Sequence, residues 1–342
     1  MKEKSINKKL ESYSSNDECI MFYDLIKLQG FIDDVKYLKS KYNVEFLFPI
    51  KSFPNEKIIK LFYKNNFGFD IANENEYNMI KNMIDDNIII SYNGIKLEKL
   101  PLKKNYNKLI YNANSIADIK SNYFCNGIRI NTYNKKSDDF SKFGISLKNL
   151  DNIDFDRIKS ISFHFYEEDK NKKVKMLLKY ISKLINKFHN LEYINFGGNW
   201  NILDVPSLEK KIKIIRDSID TNIKLLFEPG ESWFNSCGYL VTSVIGKNQV
   251  GNKKIIYINA IKDSVAKWSV LTPINLNLGN CDGCSYIISG CSCYEKDVFS
   301  IIKKNINVSV GDKIIFAGLN GYSYAWVKTF NGSNPPKVVF YE

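Results

Sequence analysis

Between residues 44 and 228, short β-type runs alternate with helix-sized segments. "VEFLFPI" (44–50) precedes "PNEKIIKLFYKN", in which Ile58, Ile59, Phe62 and Tyr63 form the apolar stripe of a helix. "FGFDI" (67–71) precedes "NENEYNMIKNMI", "NIIIS" (87–91) comes next, and "KLIYN" (108–112) precedes "SIADIKSNY". "GIRIN" (127–131) leads into a long polar loop, and "ISFHF" (161–165) into a helix over roughly 170–188. "LEYINF" (191–196) runs through "GGNW" into a helix near 207–219, and "NIKLLFE" (222–228) closes the series at "PGE". Strands separated by helical crossovers pair in parallel. Eight such units predict an α/β fold, a closed (β/α)8 TIM barrel, with a doubly wound open sheet as the alternative. The helix signal is poor after the third and fifth strands.

After residue 236 the pattern changes. "GYLVTSVIGKNQVGNKKIIYINAI" reads as a hairpin around Gly251-Asn252. "INVSVGDKIIFAGLNGYSYAWVKTF" reads as two further strands with Gly-containing turns. The expected organisation is a barrel over 20–236 and an all-β, sandwich- or barrel-like domain over 237–342, completed by residues 1–19.

The 342 residues are 44% hydrophobic and 14% aromatic, enough for a sizeable core. No apolar run reaches the ~18–20 residues that span a bilayer. The first twenty residues carry charge but no apolar stretch with a cleavage site, so a cytoplasmic protein without a membrane partner is expected. The formal charge is +12, but the lysines are spread along the chain rather than gathered into an arm. That distribution argues against a nucleic-acid polymer and suits an anionic small molecule.

In a parallel barrel, chemistry collects at the C-terminal ends of the strands. Lys51 follows the first strand, Asp70 ends the second, and Arg129 and Asn131 end the fifth. His164 ends the sixth, Gly197-Gly198 follow the seventh, and Glu228-Pro229-Gly230 end the eighth. Singly, each has an ordinary reading: a solvated lysine, a core histidine, a turn. Jointly they describe one site. A rim lysine can form a Schiff base with an aldehyde. A carboxylate can keep a pyridinium nitrogen protonated, a flat imidazole can stack on a ring, and glycine turns can approach a phosphate. Pyridoxal 5'-phosphate (PLP) meets all four requirements.

At these positions the chain resembles the fold-type III PLP-dependent decarboxylases, which include the ornithine, diaminopimelate and carboxynorspermidine enzymes and are related to the alanine racemase barrel. "FPIKSFPNEKIIKLFYKNNFGFDIANENE" is similar to the family's lysine segment and the Gly-Phe-Asp segment after it. "RINTYNKKSDDFSKFGI", "ISFHF", "NFGGNW", "FEPGES", "GCSCYEKDVF" and "GYSYAWVKTFNG" follow in family order, covering residues 44 to about 337. The resemblance implies that Lys51 binds the cofactor covalently, His164 stacks on its ring and Glu228 pairs with its nitrogen. It implies Gly197, Gly198, Gly230 and Tyr322 around the phosphate, with Asp70, Arg129 and Glu76 supporting Lys51. It also implies a homodimer with shared active sites, in which Cys293 reaches the partner's site and returns a proton to the substrate carbon.

Departures from the family pattern narrow the substrate. Tyr166-Glu167 stand where a Gly-Ser follows the histidine, Glu231 replaces an arginine, and Tyr294 replaces an acidic residue after the cysteine. With "GYLVTSV", the "EPGE" form looks most like the carboxynorspermidine branch. Tyr294, Asp297 and Glu231 are the candidate substrate contacts. The expected activity is decarboxylation of an amino acid-type substrate bearing an aminocarboxypropyl group, a carboxynorspermidine-like polyamine precursor. A 3-amino-3-carboxypropyl group on a peptide-nucleotide natural product (an antibiotic of the microcin C type), a diamino acid, or racemisation of an amino acid are the competing readings.

Four of the seven cysteines fall within "CDGCSYIISGCSC" (281–293). A Cys-x2-Cys arm followed by Cys-x-Cys is not a common zinc pattern, and Cys281 and Cys284 flank a turn rather than open a helix. No metal is expected. Cys293, four residues before Asp297, is the candidate catalytic thiol, with Cys281, Cys284 and Cys291 as bystanders.

Overall fold

The computed structural model describes residues 10, 18–95, 97–101, 106–132, 141–164, 170–281 and 283–342. The chain divides into two compact units, Phe31–Ser232 and Met1–Gly30 with Trp233–Glu342. In chain order, strand β1 (Ile20–Asp24) and helix α1 (Leu25–Tyr42) precede the first barrel strand, β2 (Val44–Pro49).

The first unit is the expected closed barrel. After β2 come α2 (Glu56–Lys64), β3 (Gly68–Ile71), α3 (Glu74–Ile80), β4 (Ile90–Tyr92) and β5 (Leu109–Ala113). Then follow α4 (Ile116–Ser121), β6 (Gly127–Ile130), β7 (Ser160–Phe163), α5 (Lys170–Leu184), β8 (Tyr193–Asn195), α6 (Val205–Arg216) and β9 (Lys224–Phe227). The strands pair in parallel in that order, and β2 pairs with β9 to close the ring. Among the described residues no helix lies between β4 and β5. Between β6 and β7 the described residues form only 3-10 turns (Leu147–Asn152, Phe155–Arg157). These are the two units whose helix signal is poor.

Local chemistry explains the element ends. The Asn55 side chain accepts from the Lys57 amide, Asn73 from Glu76, and Ser115 forms a capping box with Asp118. Asp204 caps α6, whose Pro206 sits where a missing N–H costs nothing. Strands β3, β5 and β7 are buried at every position, as a sheet covered on both faces requires. Leu47, Ile89, Ile110 and Leu226 form one apolar cluster; they come from separate places around the ring, so they meet in its interior. Outside this cluster, Phe62 of α2 stacks on Phe48 with centroids 4.1 Å apart and meets Phe67 edge-on at 5.5 Å.

The second unit is largely β. Strand β10 (Gly238–Val250) forms the expected hairpin with β11 (Lys253–Ile258) through Gly251-Asn252. After α7 (Lys262–Val265) come β12 (Thr272–Pro273), β13 (Ser285–Ser289), β14 (Val298–Ile302), β15 (Lys313–Ala317), α8 (Gly321–Ala325) and β16 (Lys337–Tyr341). Strand β10 also pairs with β15 and β1, and β1 pairs in parallel with β16. "GYSYA" is thus a short helix rather than a strand. Asn320 caps it by accepting from the Ser323 amide, a local bond that wins over the β-propensity of its tyrosines. The N-terminal elements β1 and α1 lie where no element is expected from the sequence reading. Most of residues 1–19, expected to complete this domain, lie outside the described residues. No described helix is long and apolar enough to cross a membrane.

Phe62 is fully buried between Phe48 and Phe67. Phe62→Ala is expected to cost about 3–5 kcal/mol, read as a lower denaturation midpoint of the barrel.

Candidate active site

Polar groups crowd the C-terminal ends of the barrel strands. Lys51 lies on the 3-10 turn Ile50–Ser52 that follows β2. Its neighbours Ile50 and Ser52 are buried, and Ser52 Oγ donates to the Pro49 carbonyl at 2.7 Å. This leaves Lys51 as the residue of the turn that faces outward, its amine paired with Asp70 Oδ2 of β3. The second Asp70 oxygen accepts from Asn93 Nδ2 at 2.7 Å. The same amide nitrogen lies 3.1 Å from Glu228 Oε1. One side chain therefore links the lysine's counter-ion to the carboxylate that follows β9.

Glu228 is 7% exposed, and the donors to its carboxylate are neutral amides: Asn93 and, at 2.6 Å, Asn195 Nδ2. Among the described residues no cation forms an ion pair with it. Burial, with Asp70 nearby, pushes its carboxyl up to about 7, against the pull of Lys51, the Asn195 bond and Arg129. Ser91 Oγ accepts from Asn112 and Asn195 at 3.0 and 3.1 Å, with Asn93 Nδ2 2.9 Å away. Arg129 is half-buried on β6, with its guanidinium 4.3 Å from the Phe143 ring centroid. Burial lowers its pKa, and Glu228 and Asp70 oppose that shift.

His164 follows β7 and keeps part of its surface open to solvent. Desolvation, then the cations Arg129, Lys51 and Lys173, hold its pKa far below the usual imidazole value. The ring is neutral, and its Nδ1 accepts from the Gly198 amide at 3.3 Å, which puts the proton on Nε2. Gly197 has φ +61, and a Cβ there would meet the Phe163 carbonyl oxygen at 2.4 Å; one at Gly198 would press on His164 Cε1 at 3.2 Å. The two glycines therefore let the turn close against the imidazole. Gly197 N–H donates to Asn195 Oδ1 at 2.8 Å and Gly198 N–H to His164 Nδ1 at 3.3 Å. Gly230 is buried and Glu231 exposed just beyond β9. Glu76 Oε2 accepts from the Ala72 amide at 2.8 Å; burial raises its carboxyl, and that bond opposes the rise. Asn131 donates to the Phe143 carbonyl at 2.8 Å. Tyr166 and Glu167 lie outside the described residues.

The residues present fit PLP at its aldehyde and nitrogen ends. An accessible amine, a buried carboxylate without a cationic partner and an open imidazole face share one end of one barrel.

The remaining candidates belong to the second unit. Cys293 is an exposed free thiol, and its amide donates to Asn331 Oδ1 of the Phe-Asn-Gly segment at 3.4 Å. Cys293 and Tyr294 line a groove of about 490 Å³ with Ile245, Tyr257 and Ile287. Asp297, expected to contact substrate, is 3% exposed and bonded internally. Its Oδ1 accepts from the Lys262 amide (2.9 Å), and its Oδ2 from the Ser292 amide (3.1 Å) and hydroxyl (2.7 Å). Through these bonds it clamps the Cys291–Cys293 turn. Tyr322 lies on α8, its ring 5.2 Å edge-on to Trp268. Among the described residues no three His, Cys, Asp or Glu side chains are grouped to hold a metal.

Sequence reading passed over Ser91, Asn93, Asn112 and Asn195. The signal is present, since each interrupts or ends an apolar strand whose faces are both covered, where a polar side chain needs a polar interior partner. It also passed over Lys173, which is fully buried and donates to the Gly198 carbonyl at 2.6 Å.

No family model matches the chain. It is 23% identical over 219 residues to the carboxynorspermidine/carboxyspermidine decarboxylase of Campylobacter jejuni. The chain is a homologue of that enzyme. The aligned stretch covers 58% of this chain and 57% of the relative's length. The crystal structure of carboxynorspermidine decarboxylase with norspermidine from Campylobacter jejuni superposes with TM-score 0.76 at 19% identity, covering 94% of this chain and 93% of that one. The arginine decarboxylase of Paramecium bursaria Chlorella virus gives TM-score 0.77 at 18% identity, covering 98% and 99%. At this identity the likeness establishes the fold. The homologue and these structural neighbours are decarboxylases of the fold-type III PLP family.

The buried Glu228 carboxyl has a pH signature. Its folded pKa, about 7, lies above the ordinary ~4.3, so the folded state holds the proton more tightly. Stability is therefore lost as pH rises between those values, by up to about 4 kcal/mol. In cofactor-free protein, Glu228→Gln is expected to gain on the wild type by about 3 kcal/mol between pH 5 and 8 in chemical denaturation. A pH-independent difference would mean the group titrates elsewhere.

Proposed function

We propose that the chain is a PLP-dependent carboxy-lyase that removes the α-carboxylate from an amino acid-type substrate with an aminocarboxypropyl end, of the kind a carboxynorspermidine-like polyamine precursor presents. The reading rests above all on one observation: Asn93 bridges the counter-ion of Lys51 to Glu228. This bridge gives an amine and a ring-nitrogen partner fixed positions on one framework. The homology to a carboxynorspermidine decarboxylase supports the substrate class.

When bound, PLP supplies an aldehyde that condenses with an amine and a ring that takes up the electron pair released when CO2 departs. Lys51 provides the amine that tethers the cofactor, and Asp70 keeps that amine oriented and balances its charge. Glu228 would pair with the ring nitrogen: its buried carboxyl, pushed up to about 7, brings a proton for the two to share in a dry setting. His164, neutral and pinned by Gly198, offers a flat face without adding a cation. Arg129 supplies the positive charge that offsets Asp70 and Glu228. Cys293 Sγ delivers the proton that replaces CO2 on the substrate carbon, from the partner subunit of a homodimer. Gly230 and Tyr322 remain the proposed phosphate neighbours, and Tyr294 and Glu231 the proposed substrate contacts. Each of these four roles rests on the family resemblance.

The test is a mass-spectrometric screen of the PLP-loaded protein against carboxylated polyamines, diamino acids and aminocarboxypropyl nucleotides. Loss of one CO2 from the carboxylated polyamines is expected, and Lys51→Ala should abolish it while the protein keeps its folded circular-dichroism spectrum. Epimerisation without mass loss would overturn the reading, and turnover of only the nucleotide substrates would move it to that class.

A further inference from the structure

The geometry points to Asn195 as a positioning residue that couples the two ends of the proposed cofactor site; the inference rests on the PLP reading for what occupies that site. Asn195 is the last residue of β8 and fully buried. Its amide works in both directions. Nδ2 donates to Glu228 Oε1 at 2.6 Å, and Oδ1 accepts from the Gly197 amide at 2.8 Å. The backbone closes the loop, with the Glu228 amide donating to the Gly197 carbonyl at 2.9 Å. Gly197 in turn cannot move without shifting the turn that pins His164 through Gly198. The carboxylate proposed for the ring nitrogen and the turn that sets the imidazole therefore share one side chain.

Only an amide fits both bonds. A carboxylate accepts from Gly197 but presents an oxygen to Glu228 where a donor is needed, and an aliphatic isostere serves neither partner. An aspartate here would share a proton with Glu228 at low pH and repel it once both ionise.

Three readouts on wild type, Asn195→Leu and Asn195→Asp test this. In cofactor-free protein, hydrogen exchange of the Gly197 amide is expected to be at least about tenfold faster in N195L than in wild type or N195D. In PLP titrations followed by visible absorbance, N195L is expected to bind about tenfold or more weakly at every pH. N195D is expected to bind near wild type at pH 6 and at least about tenfold more weakly at pH 8. A purely packing role predicts equal, pH-independent losses for both variants. That outcome, or unchanged Gly197 exchange in N195L, overturns the inference. If the exchange result holds but wild-type protein binds no PLP, Asn195 still fixes the turn and it is the cofactor reading that fails.

Discussion

The mouth of the barrel is arranged around the buried carboxylate of Glu228. A carboxylate 7% exposed, with no ion-pair partner among the described residues, must either stay protonated or be solvated by fixed dipoles. The chain supplies those dipoles from three strands: Asn93 after β4, Asn195 at the end of β8, and behind them Ser91 and Asn112. The result lies between the two extremes, with a carboxyl pushed up but not locked neutral. A group in that state is suited to sharing a proton with a ligand nitrogen, and poorly suited to serving stability.

The polar mouth depends on an apolar base. Leu47, Ile89, Ile110 and Leu226 fill the interior. Phenylalanines tie β9 to both of its neighbours in the ring: Phe46 of β2 meets Phe227 at 5.9 Å, and Phe196, just after β8, stacks on Phe227 at 5.1 Å. Burying these rings offsets the desolvation accepted a few residues further along the same strands. The direction is consistent from strand to strand: apolar residues first, then Asp70, Asn195 or Glu228 at or just beyond the C-terminal end. In the second unit the same logic appears on a smaller scale. Asp297 is buried to hold the turn that leaves Cys293 exposed.

Much of this was legible in the sequence because parallel strands advertise themselves. Their apolar runs are short and strongly bounded, so all eight barrel strands fall where the runs do. Lys51, Asp70, Arg129, His164 and Glu228 were recognisable because each breaks an apolar run at its C-terminal end. What escaped notice has two physical causes. Neutral amides such as Asn93 and Asn195 look like turn residues in a chain rich in asparagine, although their partners are buried carboxylates. Asp297 looked like a ligand because sequence gives its distance from Cys293 but not its direction; the structure turns it inward. The helix α1 is a different case, since Leu28, Ile32, Val35 and Leu38 recur at three- and four-residue steps and are all fully buried. That pattern was readable and lay simply upstream of the first strand considered.

The central claim is that Lys51, and no other of the chain's many lysines, carries the cofactor. Borohydride reduction of PLP-loaded protein followed by peptide mass mapping tests it most directly. The expected result is a phosphopyridoxyl group on the peptide containing Lys51 and on no other. Modification of a different lysine, such as Lys173, or no modification at all, would contradict it.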